Sequence, residues 1–383
     1  MKVEHRLSAS SAEERGSGSP PRDAVLQSVT NAHESSSTTP FSERPIFVVG
    51  APRSGTTLLR YMLCSHPRIY IPPESNFIPR FFRRSPRLPM QREQAIQTLR
   101  SLFSYRTFFR DWHGTFPDPH GFVDALKDLT PATFLDALYG EYARQFAASR
   151  WGDKSPLYTS YLDLIAEIFP TAQFIHLIRD GRDVALSMVK AYPRIPFFFM
   201  DMYYAARSWR RRVRQAMAAG AHLGPDRYLE VRYEQLTENP EAHLQRICDF
   251  LGEAYVPSMA QPQSTARRHH HSKGIHAATR LAPNTMSSRH WRKDMSPADV
   301  RLFQTVASDL LLALGYATVN LGKMSVAEKV RYAALQSKYA LIQTARRVVQ
   351  AAGVFNPAGL LSSARRAYRR ARAFGLRLAT GPH

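Results

Sequence analysis

Pro45-Ile-Phe-Val-Val-Gly50-Ala-Pro-Arg-Ser-Gly55-Thr-Thr-Leu58 is the stretch that decides the fold. The apolar run 46–49 suits a strand buried on both faces, the glycines after it supply turn chemistry, and Leu58, Leu59, Tyr61 and Met62 fall at helical spacing. The segment reads as strand, loop and helix. Its two glycines stand at the separation of a phosphate-cradling P-loop, where backbone N–H groups and a helix dipole converge on an anion. The lysine of nucleotide triphosphatases is missing: Thr56 takes its place, and the loop supplies Arg53 instead. A donor group less charged than a terminal phosphoryl suits such a loop. It needs only N–H groups, the hydroxyls of Ser54, Thr56 and Thr57, and one arginine, with no metal. A plain glycine-bearing turn is the bland alternative, and it has no reason to collect those side chains.

The same grammar recurs downstream. Gln173-Phe-Ile-His-Leu-Ile178 reads as a second buried strand, running into Arg179-Asp-Gly-Arg-Asp183 and a helix to about Ala191. A third strand is expected at 228–231, and helices over 131–148, 201–219, 240–251 and 296–314. Strands alternating with helices predict an α/β, P-loop-like three-layer fold, a central parallel sheet flanked by helices with ligands beyond the strand C-termini. Segments 50–57 and 179–187 then share one sheet edge. Arg179 and Ser187, two helical turns apart, suit one phosphate, which the arginine fork grips on two oxygens. The same run reads equally as a charged turn with an N-cap at Asp180 or Asp183.

Composition bounds the rest. The 383 residues are 44% apolar and carry a formal charge of +21, which calls for polyanionic partners: nucleic acid, an anionic membrane or a phosphorylated ligand. Residues 323–383 hold twelve Lys or Arg against the single acid Glu328. Residues 1–44, rich in Ser, Glu, Pro and Thr, read as a disordered tail; 45–320 as the folded domain; 321–383 as a basic helical extension, with helices over 326–351 and 359–376. That extension suits peripheral contact with an anionic membrane or simple solvation. No stretch is apolar enough to span a bilayer and the N-terminus lacks a signal-peptide core, so the chain reads as cytoplasmic, peripheral at most to the inner membrane surface. Cys64 and Cys248 read as buried thiols. His269-His270-His271, in the long basic connection 256–292, has no supporting ligand spacing and reads as part of an acceptor or nucleotide loop rather than a metal site.

Residues 45–80 resemble the sulfotransferases that use 3′-phosphoadenosine 5′-phosphosulfate (PAPS), and most of all the tyrosylprotein type, through the run Pro52-Arg-Ser-Gly-Thr-Thr-Leu58. The resemblance implies that Arg53, Ser54, Gly55, Thr56 and Thr57 hold the 5′-phosphosulfate. Arg179 through Ser187 is similar to the element that holds the 3′-phosphate. Tyr233, in Val231-Arg-Tyr-Glu-Gln-Leu236, matches a tyrosine near the nucleotide and reads equally as an aromatic packed at a strand end. Glu74 follows an expected short strand, which sets it at the same sheet edge as the loop; lying 21 residues after Arg53, it matches the catalytic glutamate, with a helix N-cap as its alternative. Lys154, in Trp151-Gly-Asp-Lys-Ser-Pro156, after an expected strand and before Pro156, matches the lysine that stabilises the leaving oxygen and otherwise reads as a solvated loop lysine. With Arg53, these form the implied catalytic set.

The likeness runs to about residue 318 and is looser in its second half. The tyrosylprotein enzymes are membrane-anchored and lumenal, and the stretch read here shows no such anchor. Their late-loop serine has only His276 or Ala277 nearby, and their lysine before the tryptophan is His290, between Arg289 and Arg292. The expected acceptor is a hydroxyl on a peptide tyrosine, a glycan, a lipid or a small molecule, with PAPS as co-substrate, no metal and no nucleic acid. A P-loop kinase, or a non-catalytic basic protein binding membrane or nucleic acid, is the competing reading. The joint presence of Arg53, Glu74, Lys154, Arg179 and Ser187 opposes it.

Overall fold

The computed structural model describes residues 41–103, 118–191, 200–263, 265 and 290–351. In chain order its elements are β1 (Ile46–Val49), α1 (Thr56–Leu63), β2 (Ile69–Tyr70), α2 (Ile78–Phe82), α3 (Arg92–Leu102), α4 (Pro119–Asp124), α5 (Pro131–Arg144) and β3 (Arg150–Lys154). Then follow α6 (Leu162–Ile168), β4 (Gln173–Ile178), α7 (Gly181–Ala191), α8 (Met202–Leu223), β5 (Tyr228–Arg232), α9 (Tyr233–Glu238), α10 (Pro240–Leu251), α11 (Trp291–Asp294), α12 (Pro297–Ala313) and α13 (Val326–Ala351).

The five strands form one parallel sheet in the order β2-β3-β1-β4-β5. Central β1 shows why its sequence is apolar throughout. Phe47 and Val49 face a core built with Phe174, Trp151 and α5, while Ile46 and Val48 face a second core with α1, α10, Ile175 and Leu177. All four are fully buried, each worth about 1.5–3 kcal/mol of transfer free energy. In register, Ile46 lies beside both Gly152 of β3 and Gln173 of β4, so the C-terminal ends of the three strands open at one edge.

A third core joins α7, α8 and α12, and Tyr332, Leu335 and Tyr339 of α13 pack against it. The helices expected over 131–148, 201–219, 240–251, 296–314 and 326–351 are present, within a few residues of their expected ends. Ser296, Thr130, Asn239 and Asp201 cap four of them through their side chains. Upstream of residue 45, the Phe41 and Ser42 N–H groups donate to the buried Asp136 carboxylate, at 2.6 and 3.1 Å. Cys248 is buried, whereas Cys64 is partly exposed and accepts the Ile71 N–H at 3.3 Å. The expected helix at 359–376, and residues 1–40 of the expected tail, lie outside the described residues. So do His269–His271, His276, Ala277 and Arg289.

Candidate active site

The loop between β1 and α1 gets its shape from two left-handed residues, Arg53 at φ 73° and Gly55 at φ 96°. Glycine is required at 55 on two counts: a β-carbon is disfavoured at that φ, and one placed there would sit 2.4 Å from the Tyr233 ring. The Gly55 carbonyl accepts from Leu58 N at 2.9 Å and so starts α1. No side chain caps that helix, and its first turn carries no acid, which leaves a positive helix end facing the loop. Ser54 is fully buried, and its Oγ has no hydrogen-bond partner among the described residues. An orphaned hydroxyl under a positive helix end fits an anionic group seated in the loop.

The second motif meets the first. Arg53 Nε donates to Ser187 Oγ of α7 at 3.0 Å, across the β1–β4 junction. Arg179, directly after β4, lays its guanidinium 4.4 Å over the Tyr233 ring and reaches Asp183 at 3.7 Å. Its Nε is buried without a partner among the described residues, a second unmet polar atom on the same edge. Tyr233 therefore packs between Gly55 and Arg179. Burial pushes its phenol up, and the Arg179 cation opposes that. The charged-turn alternative is also real in part. Asp180 accepts from Arg182 N at 2.9 Å and pairs with the Arg182 side chain, whose guanidinium stacks 3.7 Å over Trp291. One short run thus serves both a structural ion pair and an arginine with an unmet donor.

Lys154 ends β3 at the same edge. Its Nζ donates to Glu74 Oε1 at 2.6 Å and to Thr57 Oγ1 at 3.4 Å, so the loop, the glutamate and the lysine form one constellation. The lysine side chain is 4% exposed and the glutamate side chain 38%, which leaves the carboxylate open to an incoming molecule. Burial pushes the Lys154 ammonium down, and the Glu74 charge and hydrogen bond push it back up. Glu74 caps no helix; the nearest, α2, starts at Ile78 with Phe77 as its cap residue. Thr56 is buried in the first turn of α1.

Some residues of the site were not anticipated. Glu234 accepts the Asp180 N–H at 2.9 Å and the Tyr316 hydroxyl at 3.0 Å, so it braces the turn after Arg179 from beneath. Asp183 accepts the Trp291 N–H at 2.9 Å, which brings exposed His290 next to the second motif. Arg60 is buried behind the loop and donates to Ile71 O at 2.6 Å. Glu234 had a signal in its place beside Tyr233, Asp183 and His290 were singled out for other roles, and Arg60 had none. Among the described residues no group of three His, Cys, Asp or Glu stands ready to hold a metal.

Comparison with known proteins points the same way as this geometry. Residues 45–257 match the model of the sulfotransferase family. A candidate protein-tyrosine sulfotransferase of Caenorhabditis briggsae is 27% identical over 289 residues, covering 72% of this chain and 90% of that protein. Protein-tyrosine sulfotransferase 1 of Danio rerio is 30% identical over 216 residues, 54% of this chain and 52% of that one. The chain spans about half the length of several such relatives. Among solved structures, the sulfotransferase domain from the curacin biosynthetic pathway is 23% identical with a TM-score of 0.46, covering 74% of this chain and all of that one. These relatives correct one expectation. Protein-tyrosine sulfotransferases are the membrane-anchored, lumenal kind, so the cytoplasmic reading is withdrawn. No helix among the described residues is long and apolar enough to cross a membrane.

Proposed function

Since the chain belongs to the sulfotransferase family, we propose that it transfers the sulfuryl group of PAPS to an acceptor hydroxyl, and that the acceptor is a protein tyrosine. The observation that carries this reading is the Lys154 fork. One buried ammonium reaches both Glu74 and the Thr57 hydroxyl of the anion loop, which puts a base, a cation and an anion cradle within a single hydrogen-bonded group.

In this scheme the loop N–H groups, Arg53 and the hydroxyls of Ser54, Thr56 and Thr57 hold the 5′-phosphosulfate. Arg179 and Ser187 hold the 3′-phosphate, and Tyr233 packs beside the nucleotide. The acceptor oxygen attacks sulfur as its proton passes to Glu74. The bond from sulfur to the 5′-phosphate oxygen breaks, and that oxygen's growing charge falls to Lys154, aided by Arg53. Lys154 is held by Glu74 in the resting protein and so needs only a short shift to meet the leaving oxygen. The tyrosine acceptor is supported by the names of the relatives.

The donor assignment is tested by calorimetry. 3′-Phosphoadenosine 5′-phosphate is expected to bind far more tightly than AMP, which lacks the 3′-phosphate. Arg179→Ala is expected to remove about 2–3 kcal/mol of that preference, the scale of a charge-assisted contact. Equal affinity for the two nucleotides would remove the second phosphate site. The acceptor is tested by offering tyrosine peptides, glycans and simple phenols in parallel.

A further inference from the structure

Asp153 is fully buried on β3, one residue before Lys154, and the transfer scheme gives it no task. An ionised carboxylate only accepts, and this one collects three hydroxyl donors. Ser75 Oγ and, at 2.5 Å, Tyr139 OH meet Oδ2, while Ser155 Oγ meets Oδ1 at 2.8 Å. The Tyr158 hydroxyl lies 2.7 Å from Ser75 Oγ. With Ser75 donating to Asp153, that phenol donates to Ser75. Its oxygen also accepts the Ile78 N–H at 3.3 Å, and Ser155 Oγ accepts the Asn76 N–H at 3.3 Å. Burial pushes the Asp153 carboxyl up and the three hydroxyl bonds oppose it. A buried polar cluster is costly unless its members are satisfied, and here each hydroxyl and the carboxylate find partners.

What the cluster grips is informative. Residues 75, 76 and 78 are the stretch immediately after Glu74, and Asn76 turns it at φ 57°. On the other side of Glu74, Arg60 holds the Ile71 carbonyl. Along a strand, successive side chains alternate, so Asp153 and Ser155 face the cluster while Lys154 faces Glu74 and Thr57. We propose that Asp153 is a positioning residue for sulfuryl transfer: through Ser75 and Ser155 it fastens the turn after Glu74 to β3, and this holds the Glu74 carboxylate on Lys154. The proposal rests on the roles given above to Glu74 and Lys154.

Asp153→Asn places an amide N–H₂ among three donors and endangers folding, so Ser75→Ala is the sharper test. It cuts the bridge and leaves Asp153 its other two donors. The expected result is a kcat about 10- to 100-fold lower, the scale of a small misplacement of a catalytic group. KM for PAPS stays within about twofold, and Ser75→Thr restores most of the turnover. A second readout needs no turnover. Burial lowers the Lys154 pKa; against it the facing Glu74 raises it, Arg60 of α1 lowers it, and the charge of Asp153 across the strand raises it. A loosened Glu74 withdraws part of the raising effect, so the Lys154 titration, followed by NMR of ¹³Cε-labelled lysine, is expected to move to lower pH. A hydroxyl that only stabilises the fold lowers Tm and leaves that titration in place. An unmoved titration overturns the proposal whatever kcat does, and so does a loss of donor affinity that matches the loss of turnover. If the titration moves as expected while wild-type protein transfers no sulfuryl group, the positioning link stands and the reaction assigned above fails.

Discussion

Glu74→Gln is expected to lower turnover about a hundred- to a thousandfold, the usual loss for a general base, while leaving donor affinity nearly unchanged. Glutamine keeps the size of the side chain and can still accept from Lys154 Nζ, so the 2.6 Å contact survives as a neutral hydrogen bond. What goes is basicity. The deficit should shrink as the acceptor becomes more acidic, because an acceptor that gives up its proton readily depends less on the base. Steady-state kinetics with a series of substituted phenols checks this. A near-normal rate on a weakly acidic alcohol at neutral pH would reduce Glu74 to a partner of Lys154 and make exposed His290 the next base to examine.

Lys154→Ala is expected to cost a similar hundred- to thousandfold in kcat by withdrawing positive charge from the leaving oxygen. Here the deficit should shrink with donors whose leaving group is less basic, and it should not respond to acceptor acidity. The crossed dependence separates the two roles. Because the two side chains touch, their effects should not add: the double variant is expected to fall well short of the product of the single losses. Full additivity, measured by a double-mutant cycle, would show that the resting ion pair has no bearing on turnover.

The parts of this fold that were legible from sequence share a physical cause. β1 and β4 are covered on both faces, and burial on both faces writes itself as an unbroken apolar run. The long helices at 131, 202, 240 and 297 were legible as helical stretches, and each begins on a side-chain cap. β3 is the harder case: a strand is expected ahead of Lys154, but nothing in its sequence marks it as buried. Arg150-Trp-Gly-Asp-Lys154 carries three charges in five residues, yet all five are buried. Arg150 bonds Gln173, the Leu251 carbonyl and Glu253; Asp153 bonds three hydroxyls; Lys154 bonds Glu74. Each charge is matched by a partner far away in sequence, and no local pattern records such partners.

The site divides along the same line. Arg53, Gly55, Thr57, Arg179 and Ser187 lie in two short, dense motifs whose spacing already implied their meeting, and Arg53 does reach Ser187. The roles of Glu74 and Lys154 came through resemblance, their place at the sheet edge from the strands expected before them, and the structure brings the two into contact. Asp153, Ser75, Tyr139 and Tyr158 were passed over because each is unremarkable in its own stretch. Their fastening of Glu74 exists only in the assembled cluster. Phe41 and Ser42 show the same thing at the edge of the domain, where polar sequence conceals backbone donors to a buried carboxylate.

The central claim, sulfuryl transfer from PAPS to a hydroxyl, is tested most directly by incubating the full chain with PAPS labelled with ³⁵S on the sulfuryl group and a tyrosine peptide. Label in the peptide and free 3′-phosphoadenosine 5′-phosphate are counted together. The expected result is one labelled tyrosine for each nucleotide released, with both falling together in Glu74→Gln. Nucleotide release without label in the peptide or in any other hydroxyl acceptor supplied, at a rate indifferent to Glu74, would contradict the account.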